Sequence, residues 1–160
     1  MEIKRDAKIV GQYRYLLSRK WDENLPQVTF VMLNPSKANA YEDDPTITRC
    51  INFAHSWGYG CLEVVNLFAY ISTDPRELGQ VNDPVGAKNN DYIQLAVNQA
   101  KLIILAWGAG KYPQIQNRNQ EVLKLIYHQP LYCLGATKDG HPRHPLYLRN
   151  STKPMIFTQP

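Results

Sequence analysis

The chain is poor in the residues that would place it in several common classes. It has three cysteines in 160 residues, Cys50, Cys61 and Cys133, an odd number with no close pair. That excludes a disulfide framework, a zinc knuckle and a cluster held by four thiolates. Cys61 and Cys133 lie in or beside apolar runs, where a reduced, buried thiol is expected. No stretch approaches the ~20 apolar residues of a membrane span. The first residues, MEIKRDAKIVGQYR, lack the apolar centre of a signal peptide. A cytoplasmic protein with no membrane partner is expected. Internal repeats and low-complexity tracts are absent, so the whole chain, 1–160, reads as one domain.

What is present is ordinary in bulk. Hydrophobic residues make up 44% and charged residues 20%, enough to bury a core. The net charge of +4 tilts partners toward anions such as nucleic acids or nucleotides. No obligate protein partner is implied. Arg14, Arg19, Lys20 and Arg149 add to a basic face, each most simply a solvated charge.

Four short, continuously apolar runs at 28–33, 62–67, 102–106 and 131–134 read as buried strands of a parallel sheet. Helical spacing fills the gaps. Asp44 can cap a helix over 46–57, with Pro45 at its first position. Further helices are expected over 84–101 and 113–128. The predicted fold is α/β, a three-layer α/β/α sandwich. Its central sheet is short, mainly parallel and four-stranded, and an N-terminal hairpin or edge strand at 8–21 turns at Gly11. A last strand falls at 155–158.

In such sheets ligands bind beyond the carboxyl ends of the strands. The first strand runs into Asn34-Pro35-Ser36. An amide there can orient a water but cannot take its proton; equally, Asn34 and Pro35 suit a turn. Two carboxylates follow. Asp44 suits the helix cap, and Asp43 reads as a general base, a metal ligand or a solvated charge. Asn66, ending the second strand, offers a donor and an acceptor to a base edge or to loop backbone. Phe68 and Tyr41 can stack on a ring or pack. Trp107-Gly108-Ala109-Gly110-Lys111 is a small-residue turn in which Lys111 suits a phosphate, although the spacing is not that of a P-loop. His141-Pro142-Arg143-His144-Pro145 is a proline-stiffened loop. One imidazole suits charge stabilisation on a leaving group, and Arg143 suits a phosphate.

In their order, these motifs resemble those of the uracil-DNA glycosylase superfamily. The carriers are Leu33-Asn34-Pro35-Ser36, Val64-Val65-Asn66, Leu105-Ala106-Trp107-Gly108 and, for the last motif, either His144-Pro145-Leu146 or His141-Pro142. The chain is similar over nearly its whole length to a family of small bacterial and phage proteins of unknown function. That likeness rests on Tyr13-Arg14-Tyr15, Leu33-Asn34-Pro35-Ser36, Asp44-Pro45-Thr46, Asn66-Leu67-Phe68 and His144-Pro145-Leu146-Tyr147. The first resemblance implies a nucleobase-recognising protein and, more specifically, a DNA base N-glycosidase. In that reading Asn34 positions water, Asp43 or Asp44 supports it, and His144 stabilises the departing base. Ser36, Tyr41, Asn66, Phe68, Trp107, Lys111, His141 and Arg143 contact substrate. No metal or organic cofactor is implied. The chain departs from the superfamily by lacking the Gly-Gln-Asp-Pro-Tyr motif and its water-activating Asp. A non-catalytic nucleotide or nucleic-acid binder and an enzyme of free nucleosides or nucleotides are the competing expectations.

Overall fold

The computed structural model describes residues 1–159. Strands β1 (Lys4–Val10) and β2 (Tyr13–Lys20) form a hairpin, and β3 (Gln27–Met32) follows. Then come α1 (Pro45–Ser56), β4 (Cys61–Asn66), α2 (Asn89–Gln99) and β5 (Leu102–Leu105). Helix α3 (Arg118–Ile126), β6 (Tyr132–Cys133) and β7 (Met155–Ile156) complete the chain.

The sheet corrects the sequence reading. It has seven strands in the order β1-β2-β4-β3-β5-β6-β7, and it is mixed. The pairs β4–β3, β3–β5 and β5–β6 are parallel, while β1–β2, β2–β4 and β6–β7 are antiparallel. A four-stranded, mainly parallel sheet was the wrong size and type. The physical cause lies at the edges. Six of the seven residues of β1 and both of β7 are exposed, so neither carries the apolar run by which a buried strand is read. Their pairing is set by the backbone of the neighbour.

Helix α1 packs on one face of the sheet, through Ile47, Cys50, Ile51 and Phe53 against Val28, Phe30 and Leu62. Helices α2 and α3 pack on the other, through Ile93, Val97, Val122 and Ile126 against Val31, Val65 and Leu105. Asp44 caps α1 as its sequence predicts: the carboxylate accepts from the Ile47 amide at 2.9 Å, and Pro45 opens the first turn. The other two helices are shorter than their apolar spacing suggests. Residues 84–88 form a turn in which Gly86 takes a φ of 91°. Ahead of α3, Gln116 and Asn117 lie in the left-handed region (φ 55° and 56°) and break the helix there.

The loop from β3 to α1 is locked to the hairpin. The Arg19 side chain is 0% exposed. Its Nε donates to Asp43 at 2.7 Å, and Nη2 donates to the carbonyls of Asn39 and Glu42 at 2.6 and 3.0 Å. Nη1 donates to the carbonyls of Asp6 and Ser18. Arg5 adds Nη2 to Asp43 at 2.7 Å. Burial pushes the Asp43 carboxyl up, but hydrogen bonds from Arg5 and Arg19 outweigh it and hold the group below its ordinary value of 3.8. All three cysteines are free and buried. Among the described residues no helix is long and apolar enough to cross a membrane, and no cluster of three or more His, Cys, Asp or Glu is arranged for a metal.

Asp43→Ala removes the counter-charge of a buried guanidinium and is expected to lower stability by about 3 kcal/mol at neutral pH. Because the folded carboxyl titrates below the unfolded one, this contribution is complete above about pH 4 and is lost as pH falls through the lower, folded value. Thermal melts of both proteins across pH should therefore show a gap in Tm at pH 6 that closes toward pH 2. A gap independent of pH would overturn the ion-pair account.

Candidate functional site

The connections around β3 create the site. The chain leaves β3, passes through α1 and reaches β4 on one side. It then passes through α2 and returns to β5 on the other side of β3. Strand order reverses there, which is where open parallel sheets leave a crevice at their carboxyl ends. A cavity of about 190 Å³ fills that position. It is smaller than the ~300–1,000 Å³ of drug-sized sites, with room for a small molecule or one part of a larger one.

Asn34, Ser36, Asp44, Asn66, Trp107 and His144 all line this cavity. Residues separated by more than 100 positions in sequence meet there. Asn34 follows β3, and its amide nitrogen is occupied: Nδ2 donates to the carbonyls of Pro35 and Ser72 at 3.0 and 2.9 Å. That fixes the amide and leaves Oδ1 as its free acceptor. Asp44 is the carboxylate of the cavity. Oδ1 caps α1, and Oδ2 accepts from the Ala38 amide at 3.1 Å. A carboxylate retains further lone pairs after two such bonds.

Asn66 ends β4 and is 1% exposed. Its Nδ2 finds no hydrogen-bond partner among the described residues. A buried donor left unpaired costs about 1–3 kcal/mol. The backbone beneath it is held firmly from the far face of the sheet. Asn89 Nδ2 donates to the carbonyls of Asn66 and Leu67 at 2.9 and 3.1 Å. Arg118 Nε donates to the Leu67 carbonyl at 2.6 Å, with its other nitrogens on Glu121 and Asn90. The indole Nε1 of Trp107 is likewise buried and without a partner.

His144 arrives from the proline-stiffened loop. Gly108 lies beside it and takes a φ of 82°, a backbone conformation that favours glycine, while a Cβ there would meet His144 Cβ at an ordinary 3.7 Å. The Leu146 amide donates to His144 Nδ1 at 3.2 Å. Nδ1 is thus an acceptor, and the ring proton sits on Nε2. Burial lowers the imidazole pKa against a weaker opposing pull from Asp44. His144 is therefore a neutral N–H donor near pH 7.

Other predicted contacts lie elsewhere. Asp43 belongs to the Arg5–Arg19 lock. Phe68 is fully buried in the core beneath α2 and α3. Tyr41 is 85% exposed on the loop before α1. Lys111 is exposed and lies over the Tyr112 ring, 5.6 Å from its centroid. Arg143 is exposed and extends across Gly135. His141 lines a neighbouring cavity of about 370 Å³ with Gln114, Asn119 and Phe157, and Trp107 is the wall common to both cavities.

Arg14 was read as a surface charge, and the structure buries it in the wall of the first cavity, 3% exposed. Its Nη1 donates to the Ala38 carbonyl at 3.1 Å, while Nε has no partner. Burial pushes its pKa down to about 10, with Asp44 opposing, so it remains a cation at neutral pH. The one signal in the sequence was its position between Tyr13 and Tyr15 at the start of β2.

Fold and cavity together define a mixed-sheet protein with a small polar cavity at its strand ends. The chain belongs to the family described as Protein of unknown function (DUF1643), whose profile matches residues 14–146. That span begins at Arg14 and closes two residues after His144. No curated protein and no solved structure matches the chain, and no comparison links it to the uracil-DNA glycosylase superfamily.

Asn66→Leu replaces an unpaired buried amide by an apolar side chain of similar shape. It is expected to stabilise the ligand-free protein by about 1–2 kcal/mol, read as a rise in Tm. A fall in Tm would mean that the amide is satisfied within the fold.

Proposed function

We propose that this cavity recognises a nucleobase and that the reaction it suits is hydrolysis of the base's N-glycosidic bond. The observation that carries the reading is the Asn66 amide. It is buried, rigidly mounted and unpaired, and it shares one cavity with a neutral imidazole donor and a free amide acceptor. A side-chain amide matches the paired donor and acceptor on a base edge. Trp107 adds a second unpaired donor.

Each step has a residue suited to it. Asn34 Oδ1 accepts a hydrogen bond from water and aims its oxygen at the sugar carbon. That oxygen forms the new bond to carbon, and the electron pair of the carbon–nitrogen bond leaves with the base. His144 Nε2–H donates to the departing anion. The water proton passes to Asp44, whose charge also favours the cationic, oxocarbenium-like sugar. Asp43 takes no part, because its oxygens are held by Arg5 and Arg19. A duplex would have to present the base flipped out. Non-catalytic binding is the second reading, favoured by the amide at Asn34, which orients water without activating it.

The test is base release from single- and double-stranded DNA carrying uracil, hypoxanthine, xanthine or mismatches, with free nucleosides alongside. Abasic sites are detected by alkaline cleavage. Release is expected to fall on the order of 10²-fold in His144→Ala and comparably in Asn34→Ala. Base binding without release, by folded protein, would establish the binder. Neither binding nor release would overturn both readings.

A further inference from the structure

Three arginines are buried in this chain, and only one is left wanting. Arg19 and Arg118 are each 0% exposed. Each is paired with a carboxylate, Asp43 or Glu121, and its remaining nitrogens are bonded to oxygen. Arg14 differs. Its single hydrogen bond among the described residues goes to the Ala38 carbonyl, and no carboxylate comes within ion-pairing distance. Asp44 is bonded to the same residue through the other peptide unit, its Oδ2 accepting from the Ala38 amide. Ala38 thus contacts both charged groups, which do not pair with each other. A buried cation without a contacting anion is expensive and is seldom retained for stability alone. This one lines the cavity that also holds the unpaired Asn66 amide. The hydroxyl-bearing residues Ser36 and Thr46 line it too and can donate to the same group.

We infer that Arg14 receives an anionic oxygen of the ligand, so that the cavity takes a phosphorylated nucleoside in preference to a neutral one. This rests on the nucleobase reading for the identity of the remainder of the ligand. The guanidinium, with Nε unpaired, presents a planar set of donors that matches two oxygens of a phosphate. Asp44 offsets the charge without quenching it, because it stands outside ion-pairing distance of the guanidinium.

The experiment is calorimetric titration of the purified full chain with four probes: a nucleoside, its 5′-monophosphate, its 3′-monophosphate and inorganic phosphate. One of the two monophosphates is expected to bind on the order of 10- to 100-fold more tightly than the nucleoside, the usual range for a charge-assisted contact. Arg14→Gln should abolish that difference, and Arg14→Lys should keep part of it, with circular dichroism confirming the fold. Equal binding of nucleoside and monophosphates by the wild-type protein overturns the inference without need of any variant. So does an undiminished preference in folded Arg14→Gln. Arg14-dependent binding of inorganic phosphate as tight as that of either monophosphate upholds the anion contact and sinks the nucleobase reading.

Discussion

The fully buried guanidinium of Arg19 is the contact on which the site depends. It ties the Asp43 carboxylate and the carbonyls of Asn39 and Glu42 to β2, and through Asp6 to β1. The loop leaving β3 cannot move away from the hairpin without exposing unpaired polar groups to an apolar surround. With residues 39–43 fixed, Asp44 falls where α1 must begin. Its carboxylate then has two amides to accept, those of Ala38 and Ile47. The adjacent aspartates thus divide the work. One carries the fold, and the other closes a helix end and faces the cavity.

The same logic operates from the opposite face. Arg118 and Asn89 take up the carbonyls at the end of β4. That leaves the Asn66 side chain with a fixed mount and no partner. Asn34 is pinned in turn by two carbonyls, one of them from Ser72 on the segment that follows β4. Asn34, Asp44 and the backbone of Asn66 are therefore oriented by hydrogen bonds within the fold. Such preorganisation favours binding, because little freedom remains to be lost when a ligand arrives. It also shows in stability: an unpaired amide at Asn66 and an unmatched cation at Arg14 are both unfavourable without a ligand.

Elements that bury an apolar face were legible in the sequence. The four parallel strands β3, β4, β5 and β6, the Asp44 cap and the Pro45 start were all visible in local chemistry. Five candidate residues beyond the cap, Asn34, Ser36, Asn66, Trp107 and His144, do meet in one cavity. Residues whose role depends on a distant partner were not legible. Asp43 looks like a spare carboxylate until Arg5 and Arg19 are placed beside it. Phe68 looks available for stacking until α2 and α3 cover it. Arg14 and Arg19 look like surface charges because no local pattern distinguishes a buried arginine from a solvated one.

Sequence alone determined which segments must be strands or helices, since periodic burial is written in consecutive residues. It also set which polar types stand at the strand ends. Tertiary structure decided the width of the sheet, because β1 and β7 are held by backbone pairing rather than by their own apolar content. It decided which polar groups are satisfied within the chain and which face the cavity. Hydrogen-bond partners such as Arg19 with Asn39, or Arg118 with Leu67, are distant in sequence, and only folding brings them into reach.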